Sequence, residues 1–332
     1  MIRELKMPGR KRVLYGFGIV ALFIGGCSSS ELPKPTPEEL KEVVQAAQNN
    51  LVHVKGGSFL LGDVGTPDGR YYTVLRDDNK PAIEVTLDSY SIGRYETTWH
   101  EFLVYLRDVG RAEQYVRFRE EPNLSIRDVR SDEDPLSPNY RLKPAKAPNY
   151  GEAEGYCQWL GEKLGRPISL PTEAQWEYAA RSRGKNVAYA TNSGEIEKDP
   201  YLRRPIEYID PSIPPTGNAL SHSSNRTERR PVGSYPPNPL GLHDMTGNVA
   251  EWTRDWYQAD FYQHAPKQNP EGPPAPANPD EPRKVVRDWA GNGDHTGGTD
   301  TVFSRGGVPL DSSANGFRCV VNHPDPVSRD FK

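Results

Sequence analysis

Residues 240–256 constrain this chain more than any other stretch. Leu240-Gly-Leu-His-Asp-Met-Thr-Gly-Asn-Val-Ala-Glu-Trp-Thr-Arg-Asp-Trp256 sets carboxylates, a Gly-Asn turn and two tryptophans in one short run. Asp244 and Glu251 stand seven apart, with Gly247-Asn248 between them. That spacing lets two side-chain carboxylates and intervening backbone carbonyls converge on one point, the all-oxygen donor set that a hard cation such as Ca²⁺ takes. The same residues also fit a polar surface turn flanked by core tryptophans, and spacing alone does not choose between the two.

The 332 residues suit one large domain or two small ones once an export signal is set aside. Seventeen tyrosines and six tryptophans supply an aromatic-rich core, while 32 prolines and 30 glycines favour a loop-rich fold over a helical bundle. Net charge is −4 and no basic block lies beyond the N-terminus, which argues against nucleic-acid binding.

Residues 1–27 read as a lipoprotein signal peptide. Arg3, Lys6, Arg10, Lys11 and Arg12 precede an apolar run over 13–24 that is too short for a membrane-spanning helix. Ile24-Gly-Gly-Cys27 resembles a bacterial lipobox, which predicts lipid modification at Cys27 and a membrane anchor. Ser28 follows the cysteine, so the expected location is the outer membrane, facing the periplasm. Several acyl chains would anchor stably where a single one would not. Of the three cysteines, Cys157 and Cys319 remain, and two cysteines in an exported protein point to one disulfide.

Residues 28–50 read as a tether, a Ser/Pro linker followed by a short polar helix over 38–48, and residues 51–332 as the folded domain. Apolar residues alternate over 52–62 around Gly56-Gly57 and predict a hairpin. Ile83, Val85 and Leu87 alternate likewise. Thr98 with Glu101 forms a capping box ahead of Trp99, Phe102, Leu103 and Leu106, the apolar face of a helix. A second helix is expected over 150–164, started by Asn149 and turning Ala153, Tyr156, Cys157 and Leu160 inward. Thr172 and Gln175 start a third, short one. Residues 120–148 are irregular and charged, and 263–282 form a Pro-rich surface excursion.

Three blocks in order resemble the sulfatase-modifying-factor, or formylglycine-generating-enzyme, family. They are Gly155-Tyr-Cys-Gln-Trp-Leu-Gly running into Leu170-Pro-Thr-Glu-Ala-Gln-Trp-Glu-Tyr-Ala-Ala-Arg181; residues 231–252; and Asp311-Ser-Ser-Ala-Asn-Gly-Phe-Arg-Cys-Val320. The resemblance covers about residues 51–323. It implies a single α+β domain related to the C-type-lectin fold, with little regular secondary structure. It implies a calcium site with side-chain oxygens from Asp244 and Glu251 and backbone carbonyls from Gly247 and Val249. Asn218 and Ala219 match half of a second calcium site, whose acidic ligand finds no carboxylate at Ser224-Asn225. Cys157 and Cys319 match a cysteine pair that is disulfide-bonded in the family.

The departure is at the chemistry. The family's oxidases hold Cu(I) with two thiolates, the soft ligands that ion needs. Those positions fall near Gly297 and Val302, and residues 290–315 contain no cysteine, so no copper is expected. A tryptophan bordering the family's active site appears as Ala250. The His-x-x-x-His-x-Glu motif of iron-dependent relatives is absent, and His53, His100, His222, His243, His264, His295 and His323 are scattered. His243 and His295 are the two placed for catalysis, although packing explains them as well. No Gly-x-Ser-x-Gly, phosphate loop or His-Glu-x-x-His occurs. Asp132-Glu133-Asp134 reads as a solvated face.

The expectation is therefore a catalytically inactive, calcium-stabilised protein-binding module on a lipid anchor. Its partner would be an envelope or secreted protein, such as an apparatus component or an exported toxin. The Gly-rich loop 291–298, with Trp289, Asp294, His295 and Asp300, would be its recognition groove. A periplasmic tailoring oxidoreductase using non-copper chemistry and a lectin-like carbohydrate binder are the alternatives.

Overall fold

Capped helices and short strands, the longest strand six residues, make up the regular structure of the described residues. The computed structural model describes residues 32–73, 76–112, 133–135, 140–146, 149–195, 229–288 and 301–327. The signal segment with Cys27, the residues Asn218 and Ala219, and the groove residues Trp289, Asp294, His295, Gly297 and Asp300 lie outside the described residues.

Helices α1 (Pro37–Asn49), α2 (Trp99–Asp108), α3 (Tyr150–Leu164) and α4 (Glu173–Ala180) each begin at a side-chain cap, from Thr36, Thr98, Asn149 and Thr172. In α2 the Thr98 hydroxyl accepts from the Glu101 N–H while the Thr98 N–H donates to Glu101 Oε2 at 2.7 Å, so two end donors are satisfied at once. Gly165, in the left-handed conformation, ends α3. Among the described residues no helix is long and apolar enough to cross a membrane.

The helix expected in a tether is instead part of the domain. Val43 and Val44 of α1 are buried in one core cluster with Phe102, Tyr156 and Leu160. Arg107 of α2 pairs with Glu39 at 2.9 Å and donates to the Pro33 carbonyl at 2.6 Å, which fixes the entry of the chain. The polar face of α1 dominates its composition, and this hid a two-valine docking stripe from the sequence.

Strands β1 (Leu51–Val54), β2 (Gly57–Leu61), β3 (Ile83–Leu87) and β4 (Tyr90–Gly93) correct a second expectation. Gly56-Gly57 is no hairpin turn: β1 pairs antiparallel with β4, and β2 with β3. The two segments form one antiparallel ribbon, broken at Gly56-Gly57 opposite Asp88-Ser89. A Cβ on Gly56 would lie 2.2 Å from the Leu87 carbonyl oxygen. The glycine is there for close approach of two backbones, which alternation plus Gly-Gly cannot distinguish from a turn.

Strand β9 (Val320–Val321) lies between β4 and β5 (Ile168–Ser169), giving the order β1-β4-β9-β5. A separate sheet holds β6 (Glu251–Trp256), β7 (Arg283–Arg287) and β8 (Arg305–Pro309). One core cluster sits under α1, α2 and α3 and is built on ring contacts, such as Phe102 to Phe317 and Tyr156 to Phe317 at 5.8 and 5.5 Å. The other holds Phe59, Trp176, Tyr178, Leu242, Met245 and Phe303. Each such side chain fully buried contributes roughly 1.5–3 kcal/mol. The architecture is the expected α+β, loop-rich fold.

Cys157 in α3 is bonded to Cys319, the residue before β9, with the Cα atoms 5.6 Å apart. The pairing implied by the resemblance is the one formed.

Candidate functional site

The turn that opens the sequence argument leads directly into β6. Asp244, Gly247 and Asn248 all have positive φ (57°, 94° and 65°), which bends the chain back tightly enough to bring its polar groups together. Met245 and Trp252 are buried beneath it and hold it to the core. The Gly233 N–H donates to Asp244 Oδ2 at 2.7 Å, and the Gly247 N–H to Asp288 Oδ2 at 2.7 Å. Asn248 accepts from the Arg230 N–H at 3.1 Å and donates to Glu96 Oε2 at 2.9 Å.

Glu251 is fully buried, and both its oxygens are engaged. Arg318 donates Nη2 to Oε1 at 2.7 Å and Nε to Oε2 at 2.8 Å, and Trp176 Nε1 adds a third bond to Oε2 at 3.0 Å. Such a bidentate charge-assisted pair is among the stronger polar contacts a protein makes. Arg318 also donates to the carbonyls of Gly93, Arg94 and His243, so it ties β4, the turn and β6 to one guanidinium. The sequence reading missed Arg318, Trp176, Glu96 and Asp288 as parts of this site. Arg318 stood inside the quoted Gly-Phe-Arg-Cys block, and Glu96 lies just before the α2 capping box.

Glu96, Asp244 and Glu251 are three buried carboxylates, and the charge of Glu251 acts on both Glu96 and Asp244. Burial, opposed by the Gly233 N–H and Arg318 and reinforced by Glu251, pushes the Asp244 carboxyl up to about 6. Burial, with Asp244 and Glu251 adding to it, raises Glu96 well above the usual carboxylate range. Among the described residues no group of three or more His, Cys, Asp or Glu side chains is placed to hold a metal ion. Any ion here would rest on two carboxylates and backbone carbonyls, with Glu251 shared with Arg318. The donor set fits a divalent cation on one ground: Asp244 is buried beside another carboxylate with too little positive charge nearby.

The other candidates fall as follows. His243 places Nδ1 2.8 Å from the Tyr235 carbonyl and its ring 4.9 Å from that of Tyr95. Burial lowers its pKa first, so it is a neutral, packed histidine. Val302, aligned with a copper thiolate, is fully buried, and its N–H donates to the Ala188 carbonyl at 2.9 Å. Ala250 packs at the edge of the core under α3. Glu133 is exposed and pairs with Arg141 at 3.3 Å, as a solvated face does.

Residues 36–323 match the sulfatase-modifying factor enzyme 1-like domain. The chain belongs to that family. Among curated relatives, a formylglycine-generating enzyme of Streptomyces coelicolor is 26% identical, over 72% of this chain and 80% of its own length. A serine/threonine-protein kinase pkn1 of Chlamydia pneumoniae is 32% identical over 75% of this chain. The chain spans only about a third of that kinase, 33% of its length. A chaperone protein LppX of Paenibacillus barcinonensis is 28% identical over 63% of this chain and 72% of its own. Among solved structures, PvdO from Pseudomonas aeruginosa superposes with a TM-score of 0.55 at 25% identity, covering 82% of this chain and 93% of its own.

Proposed function

We propose that this member of the family is a lipid-anchored protein of the bacterial envelope. Its domain, held by calcium and a disulfide, binds an envelope or secreted protein and catalyses no copper chemistry. The observation carrying this reading is where the cysteines are. Cys157 and Cys319 are bonded to each other, and the third cysteine, Cys27, lies in the lipobox-like segment. The domain therefore offers no thiolate pair for Cu(I), and Val302 gives the aligned position to the core. A relative named as a chaperone protein is consistent with a protein-binding role. The lipobox-like Ile24-Gly-Gly-Cys27 supports the outer-membrane location facing the periplasm.

In this reading Asp244, Glu251 and the carbonyls of Gly247 and Val249 hold calcium, and the ion supplies a cross-link between the turn and β6. Adding calcium at about a hundred times its Kd stabilises the protein by about 2.7 kcal/mol if it binds the folded state alone. The expected result is that a chelator lowers the melting temperature of the wild type and leaves Asp244→Ala unmoved. An equal chelator response in both proteins would remove calcium from this turn.

The function itself is tested by affinity purification of the tagged, anchored protein from native envelopes, with mass spectrometry of what co-elutes. A single protein near stoichiometry is the expected result. Repeated purification without any such protein, calcium present throughout, would overturn the protein-binding reading in favour of a small-molecule ligand or an enzyme.

A further inference from the structure

Where the antiparallel ribbon breaks at Gly56, six chain segments border a cleft of about 650 Å³, within the size range of small-molecule sites. They are the break itself with Lys55, the turn at Asp88-Ser89, the start of α4, Arg254 of β6, residues 269–271, and residues 322–324 after β9. Neither Asp244 nor Glu251 lines it.

Its walls are planar polar side chains that hold one another in place. Asn269 donates Nδ2 to Asp88 Oδ2 at 2.8 Å, and its own oxygen accepts from the Asp88 N–H at 2.8 Å. Gln175 donates Nε2 to Asn322 Oδ1 at 3.0 Å, and Asn322 in turn donates Nδ2 to Ser169 Oγ at 2.9 Å. Arg254 Nη2 meets Glu271 Oε1 at 2.6 Å. These pairs join segments far apart in the chain, so the side chains are set before anything binds, which spares a ligand the cost of ordering them.

What the pairs leave over is a mixture of donors and acceptors. Lys55 is exposed, and its Nζ has no partner among the described residues. The Arg254 side chain keeps 29% of its surface, with Nη1 to spare, and that of Glu271 keeps 64%, with Oε2 to spare. The Ser89 hydroxyl accepts from the Gly56 N–H and still has its own proton to give. His323 accepts the Asp325 N–H at Nδ1, which leaves Nε2 as a donor.

We propose that this cleft binds a neutral oligosaccharide, whose hydroxyls both donate and accept, through these leftover groups. Charge selects against the other classes: Lys55 and Arg254 balance Asp88 and Glu271, so the lining favours neither a cation nor an anion. An apolar body would strip water from the polar groups and return no hydrogen bond. Leu87, Pro270 and Pro324 give small apolar patches for the C–H faces of sugar rings. The proposal stands apart from the protein-binding reading and from the calcium turn.

Calorimetric titration of the full-length chain tests it. Maltotriose, cellotriose and N,N′,N″-triacetylchitotriose are the neutral probes; chitotriose and trigalacturonate are cationic and anionic counterparts, and glycine betaine is a zwitterion. At least one neutral trisaccharide is expected to bind saturably, at least about tenfold tighter than any charged probe, with or without chelator. Lys55→Ala/Glu271→Ala removes a donor and an acceptor without changing net charge, both at exposed positions, and weakens the neutral sugar at least about tenfold. Glu271→Gln alone leaves one positive charge in excess and strengthens trigalacturonate. Circular dichroism checks each variant, and if the double variant does not fold, Glu271→Gln decides. Absence of saturable binding of all three neutral sugars, a charged probe or betaine bound as tightly, or an affinity untouched by the substitutions overturns the proposal. Sugar binding lost on chelation would belong to calcium, and the proposal would fail.

Discussion

Replacing Arg287 with methionine will destabilise the domain by about 3–5 kcal/mol, the cost typical of removing one partner from a buried ion pair. Arg287 lies in β7 with no exposed surface, and it faces two glutamates of α4. Its Nη1 meets Glu173 Oε1 at 2.7 Å and the Tyr262 hydroxyl at 3.3 Å, and its Nη2 meets Glu177 Oε2 at 2.8 Å and the Val302 carbonyl. Methionine roughly fills the space but donates nothing. Glu173 retains Arg305, at 2.6 and 2.9 Å, and Glu177 retains Arg181 and the Gly62 N–H through Oε1. Glu177 Oε2 and the Val302 carbonyl lose the donor that Arg287 gave them. Urea unfolding with the disulfide intact measures the loss, and a loss below about 1 kcal/mol would show that the network relaxes around the gap.

The pH dependence of that loss has a definite sign. Burial works to raise the Glu173 carboxyl, but Arg305 and Arg287 outweigh it and hold the group below its ordinary value of 4.5. A carboxyl depressed on folding contributes stability above its unfolded pKa and loses it as pH falls through the folded one. Removing Arg287 takes away part of that depression. The gap between wild type and variant therefore narrows below about pH 4.5.

This network also marks the limit of what the sequence reveals. Local signals worked: each of the caps at Thr98, Asn149 and Thr172 stands where a helix begins, because capping is a contact between residues three apart. Arg181, Arg287, Arg305 and Arg318, by contrast, are all at most 1% exposed, and a charged residue is ordinarily read as surface. Their carboxylate partners lie from 4 to 132 positions away in the chain. Strands β5 and β9 are two residues long and carry no period, so the order β1-β4-β9-β5 was not legible either. At the site, Asp244 and Glu251 were found from spacing. The cation that does face Glu251 is Arg318, 67 residues on, and only the fold brings it there.

Loss of the Cys157–Cys319 bond should be the other large effect. The bridge spans a sequence separation of 162, for which the chain-entropy estimate is about 5 kcal/mol, at the upper end of what bridges deliver. Its position makes a result near that end reasonable. Strand β9 pairs with β4 through Val320 and Val321 alone, and with β5 through the same two residues. So few ladder bonds are weak restraint for the strand that joins β4 to β5. Cys319 on one side of Val320, with Arg318 next to it, fixes β9 to α3, β4 and Glu251 before any ladder bond is counted. In Cys157→Ala/Cys319→Ala the strand keeps Arg318 and its hydrophobic contacts but becomes free to leave the sheet. Two measurements decide the matter. Alkylation of the folded wild type followed by intact mass should find neither cysteine of the pair reactive. Urea unfolding of the double variant should show a loss of several kcal/mol. A loss below about 1 kcal/mol would place the weight on Arg318 and the aromatic core instead.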